Sequence, residues 1–158
     1  KRFPLRRGRR PRLQSQRGVA AIELALIFIA TLALLPFTIW FGRVFYQYEV
    51  LVKAGNAAAR YVASAPLAEM STGASAKNVI ATATKMIVDA AAGAHLSALP
   101  DPDTIGIRCI PMTCGTPGST PAMIEINFTV TMVDDLFFDT TYGQFPLNII
   151  LQVPYAGN

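Results

Sequence analysis

The feature that most constrains this chain is a run of 19 residues without a charge, LALIFIATLALLPFTIWFG, residues 24–42, with one carboxylate, Glu23, at its head. As an α-helix rising 1.5 Å per residue the run covers roughly 28 Å, about the thickness of a bilayer's hydrocarbon core. A carboxylate at the centre of such a span costs about 2.5 to 3.5 kcal/mol, so Glu23 at its edge requires a reason. Ahead of the run, Lys1, Arg2, Arg6, Arg7, Arg9, Arg10, Arg12 and Arg17 stand with no acidic residue among them, whereas the remainder carries six basic and ten acidic residues. A basic arm before an apolar run is the asymmetry that orients a membrane helix, with the arm in the cytoplasm. Everything after Gly42 is then expected outside it. An arginine-rich arm can also neutralise nucleic-acid phosphates, but the adjoining apolar segment accounts for its position, and no nucleic acid is expected as a partner. The chain as given opens on Lys1, and no reading rests on the arm's length.

A secretory signal has a shorter apolar core and a small-x-small cleavage site. Here the run leads into Trp40, Phe41, Phe45, Tyr46 and Tyr48 with Arg43, the composition of an interfacial belt. A buried helix of a soluble protein is the competing reading, and it leaves the arginine arm unexplained. Pro36 interrupts the run and leaves the Leu32 carbonyl without its helical donor, so a kink or local loosening is expected there.

Helical periodicity continues past Gly42. Tyr48, Val52, Gly55, Ala59 and Val62 form one row, Glu49, Lys53, Asn56 and Arg60 a polar one, and Val50, Ala54, Ala57 and Tyr61 a third that is small or apolar. The helix is therefore expected to find neighbours on two sides, and Pro66 to end it, giving a rod over residues 19–65. After a polar linker, EMSTGAS, a second amphipathic helix fits residues 76–92, with Thr82, Lys85 and Asp89 facing water. The period then becomes two, through Ile105, Ile107 and Cys109, then Ile124 to Met132, then Leu147 to Val153. Three strands, antiparallel, are expected, covered by the helices. The fold class is α+β, divided into a basic leader (residues 1–18), a membrane and stalk helix (19–65) and a small extracytoplasmic head (66–158).

Little catalytic chemistry is available. Cys109 and Cys114 enclose IPMT beside an expected hairpin and are candidates for a disulfide in an extracytoplasmic head. Two thiols and one His fall short of the four ligands of a structural zinc site, so no metal or cofactor is expected. His95 has no nucleophile or acid partner in any known pattern. Asp101 with Asp103, and Asp134 with Asp135 and Asp139, lack EF-hand spacing and read as loop acids. An enzyme is not expected.

The segment QRGVAAIELALIF, followed by WFGRVFYQYEVLVKAGNAAARYVA, resembles the processing region of type IV pilin-like proteins, and within them the TadE-like minor pilins of Tad (Flp) pilus systems. The resemblance rests on a basic leader ending in Gly18, the apolar Val19, and Glu23 as the fifth residue counted from Val19. It implies cleavage by a prepilin peptidase between Gly18 and Val19, and pairing of Glu23 with the new amine of a neighbouring subunit during assembly. It also implies partners: other pilins and minor pilins through the N-terminal helix, and the assembly platform. The place implied is the inner membrane, crossed once with the head periplasmic, or the pilus itself. The alternative is a plain signal-anchored protein, unprocessed, whose head binds a partner and whose Glu23 lies at the cytoplasmic headgroups.

Overall fold

The computed structural model describes residues 16–96, 98–118, 120–132 and 145–157, with side chains from residue 18 onward. The basic arm ahead of Gln16 and the acids Asp134, Asp135 and Asp139 lie outside the described residues. Two compact units divide the chain between Ile39 and Trp40.

In the first unit the described residues are all helical, as the start of α1 (Gln16–Ala63). Their side chains are exposed almost throughout, Ile22, Ile29 and Leu34 at 64 to 66%. Such a surface is unstable in water and stable in hydrocarbon. The hydroxyls are satisfied within the helix: Thr31 donates to the Ile27 carbonyl at 2.8 Å and Thr38 to that of Leu35 at 2.8 Å. The helix runs through Pro36 without ending.

The second unit holds the rest of α1, then α2 (Leu67–Met70), α3 (Gly73–Gly93), a 3-10 turn at Pro102–Thr104, and strands β1 (Gly106–Ile110), β2 (Met123–Met132) and β3 (Phe145–Pro154). The strands form one antiparallel sheet in the order β1-β2-β3. The class is α+β, as the change of period from helical to alternating indicates. On β2, Ile124, Ile126, Phe128, Val130 and Met132 are all buried, and Thr129 and Thr131 are exposed. This face joins Leu51, Ala58, Ala59 and Val62 of α1 and Val79, Ala83, Ile87 and Ala91 of α3 in one apolar core.

Three particulars differ from the sequence reading. The stalk part of α1 buries one broad face, through Leu51, Ala54, Gly55, Ala58, Ala59, Val62 and Ala63; of the second apolar row, Ala54 is buried and Val50 packs half-buried against the core, whereas Ala57 and Tyr61 are exposed. Alanine's helix propensity accounts for much of that row. Within the expected linker, Met70 is drawn into the core at 2% exposure, and the chain before it winds into α2 behind Pro66. α3 consequently begins at Gly73.

The end of α1 is closely managed. The last carbonyls of a helix lack donors and must find them elsewhere. Ser64 N–H bonds to the Arg60 carbonyl, and Ala65 N–H to that of Val62. From the far end of the chain, Ala156 N–H donates to the Ala63 carbonyl at 2.9 Å and the Tyr155 hydroxyl to that of Ala65 at 2.7 Å.

Candidate functional site

The residues singled out by the sequence fall into two groups. Gly18, Val19 and Glu23 lie at the start of α1, in the first unit. A Cβ placed on Gly18 would meet nothing within 4 Å, Val19 is 58% exposed, and Glu23 is exposed. Glu23 follows Val19 by four positions, which puts them on one helical face. A chain beginning at Val19 would place its α-amino group at the positive end of the helix, where a carboxylate in the first turns is favoured. Residues after Glu23 continue the apolar surface through Leu24, Leu26, Ile27 and Phe28, each at least 56% exposed. α1 is the one helix among the described residues that is long and apolar enough to cross a membrane.

In the second unit, Trp40, Phe41 and Phe45 form a ring cluster: Trp40 and Phe41 meet edge to face at 4.9 Å, and Phe41 and Phe45 stack at 6.4 Å. Phe41, Phe45 and Tyr46 are more than half exposed, as interfacial aromatics are. Glu49 and Lys53 close an exposed ion pair at 3.2 Å, in the favourable order along the helix.

Cys109 and Cys114 are joined by a disulfide with Cα atoms 5.1 Å apart. Gly115, next in the chain, donates its N–H to the Met70 carbonyl at 2.8 Å, and its φ of +86° is one L side chains rarely adopt. A Cβ there would stand 2.8 Å from the Gly73 Cα. The disulfide loop is thus seated on the corner between α2 and α3. The closed loop holds a cis bond between Ile110 and Pro111.

The other candidates have local structural roles. His95, exposed, holds φ +52° just past α3: its N–H bonds to the Ala92 carbonyl and that of Leu96 to Ala91. This is a Schellman ending, with His95 where Gly is usual. Asp101 accepts the Asp103 N–H at 3.0 Å and caps the 3-10 turn. Among the described residues no three His, Cys, Asp or Glu side chains converge on a point. Open grooves of about 250 and 330 Å³ lie beside Tyr61, Glu69, Ser75 and Asn78, and beside Leu67, Ser71 and Thr120.

Sequence reasoning put Gly55 in an apolar row without its close contact to the sheet, and passed over Gly115 and Tyr155. Each owes its role to a partner distant in the chain, so only the left-handed preference of glycine hints at Gly115.

These features define a class: a protein with one N-terminal apolar helix suited to membrane anchoring and a small α+β body. Within that class the likeness is to the TadE-like proteins, whose family model matches residues 18–60. The match begins at Gly18 and ends within α1, ahead of the sheet. No curated protein and no solved structure matches the chain significantly.

Proposed function

We propose that the protein is a prepilin-like minor subunit of a Tad (Flp) pilus system, an assembly protein rather than an enzyme. The observation that carries this reading is the TadE-like match over residues 18–60, which opens on the Gly18, Val19 and Glu23 set. A prepilin peptidase cuts between Gly18 and Val19 on the cytoplasmic face, removing the arginine arm. The apolar half of α1 holds the subunit in the inner membrane, with the head on the periplasmic side. Glu23 then offsets the freed amine of a neighbouring subunit, which makes a carboxylate in an apolar surface useful. Its partners are other pilins through this helix, the peptidase and the assembly platform, and it ends either in the membrane or in the pilus.

One observation favours the alternative of an unprocessed, signal-anchored protein. Gly18 and Val19 lie among the helical residues of α1, so a peptidase must unwind the helix there to reach the bond. Glycine eases that opening, since it destabilises a helix by about 1 kcal/mol relative to alanine.

The test is to express the full chain with and without a prepilin peptidase and read the N-terminus of the membrane-bound product by mass spectrometry. A peptidase-dependent start at Val19, lost in Gly18→Phe, is expected. An intact arm under conditions that process a control prepilin overturns the reading.

A further inference from the structure

The register of the sheet determines what its long edge can do. Tyr155 stands opposite Ala122, one step beyond the Met123 and Pro154 pair, and its N–H donates to the Ala122 carbonyl at 3.0 Å. In an antiparallel ladder the pairs exchanging hydrogen bonds alternate with pairs whose groups point away. Odd-numbered residues of β3 therefore bond to β2, and the even-numbered ones present N–H and C=O to the other side. Those positions are Pro146, Asn148, Ile150, Gln152 and Pro154, all exposed. A proline has no N–H to donate. Donors are thus confined to Asn148, Ile150 and Gln152, bracketed by a proline four residues from Ile150 on each side. Among the described residues no other strand pairs with this edge.

We propose that β3 pairs edge to edge with β3 of a second copy, antiparallel and centred on Ile150. The edge is complementary to itself in that register. Ile150, 60% exposed, meets Ile150 of the second copy, and Asn148 meets Gln152, amide against amide. The prolines fall opposite each other at both ends and stop the ladder there. A two-fold pairing of this kind closes on itself and does not propagate into a fibre. A foreign strand would have no such matching of both ends. The contact is far smaller than the roughly 20 residues a side of a stable interface. Confinement of both copies to one membrane supplies the effective concentration that the contact area lacks. The pairing does not depend on cleavage at Gly18, so the two ideas fail separately.

The experiment uses the full-length protein in its membrane, with single cysteines introduced and mild oxidation followed by non-reducing electrophoresis and peptide mapping. Ile150→Cys is expected to give a covalent dimer several-fold more abundant than Thr129→Cys, an exposed position on the central strand. Asn148→Cys and Gln152→Cys are each expected to cross-link poorly alone and well when co-expressed. Adding Ile150→Lys to that pair should abolish their cross-link while leaving the thermal unfolding of the head unchanged, because this side chain faces outward. A dimer yield from Ile150→Cys no greater than from Thr129→Cys overturns the proposal and leaves the prolines as guards of a solitary edge. Self-linking of Asn148→Cys as strong as the mixture overturns the antiparallel register.

Discussion

The hydroxyl of Tyr155 reaches the carbonyl of Ala65 at 2.7 Å, across 90 positions of sequence, and ties the segment after β3 to the end of α1. Burial raises the Tyr155 pKa above its ordinary value of 10.0, because the phenolate would lose solvent. The folded state therefore holds the proton more tightly than the unfolded chain. The stability this supplies is complete below pH 10 and is lost as the pH rises through the folded-state value. Tyr155→Phe is expected to cost about 1 kcal/mol near neutrality and to flatten the loss of stability above pH 10. Parallel urea titrations of both proteins at pH 8 and pH 10.5 measure the difference.

At Gly55 the sheet comes close to α1. A Cβ on it would lie 2.5 Å from Leu151 Cδ1 and 3.4 Å from Phe128 Cε1. Leu151 is half-buried and its end can turn aside, so Gly55→Ala should be nearly neutral, the gain in helix propensity offsetting the crowding. Gly55→Leu should destabilise the head by about 1 to 3 kcal/mol through overpacking. Denaturant midpoints of the two variants separate the effects, and equal midpoints would count against a close approach.

The left-handed residue at the end of α3 is His95, and a left-handed L residue costs roughly 1 to 2 kcal/mol relative to its ordinary conformation. His95→Gly should raise head stability by up to about 1 kcal/mol, after the added flexibility of glycine in the unfolded chain is counted. A lower melting temperature in this variant would show that the imidazole makes a contact of its own.

The disulfide loop and the corner it rests on should fail together. Cys109→Ser with Cys114→Ser is expected to lower stability by about 2 kcal/mol, the chain-entropy value for so short a loop. Gly115→Ala should also destabilise, since its Cβ would press on Gly73 from a strained φ. In hydrogen exchange both should loosen residues 67–76 before β2; uniform loosening of the sheet would argue that the loop has no special tie to α2 and α3.

Glu23→Ala should leave cleavage after Gly18 largely intact but reduce the share of the protein recovered with the assembled pilus machinery. Quantitative blotting of sheared pili and membranes reads both at once. Unchanged recovery would mean that the carboxylate merely sits at the headgroups.

Several elements were legible in the residues alone, for reasons that are local. A 19-residue uncharged run can be stable as an exposed helix only in hydrocarbon, so composition alone marks it. The alternation Ile124, Ile126, Phe128, Val130, Met132 determined which face of β2 is buried, because successive side chains of a strand point to opposite sides. Spacing likewise placed Glu49 over Lys53 and directed Thr82, Lys85 and Asp89 to solvent. The stalk was legible in part: Val50 and Ala54 of the second apolar row pack as expected and Ala57 and Tyr61 do not, because an alanine row can be either contact or filler and only the packed neighbours distinguish them.

The tertiary structure decided what depends on partners far apart in the chain. It selected one face of α1, seated Gly115 on Gly73, turned Met70 inward with a short helix around it, and brought Tyr155 to Ala65. It also left the even-numbered side of β3 open among the described residues, between two prolines whose effect depends on strand register. Periodicity records how a segment meets an apolar or polar surrounding. Which surface supplies that surrounding is determined only when the elements pack, since hydrophobic attraction is non-directional and hydrogen-bond register is not.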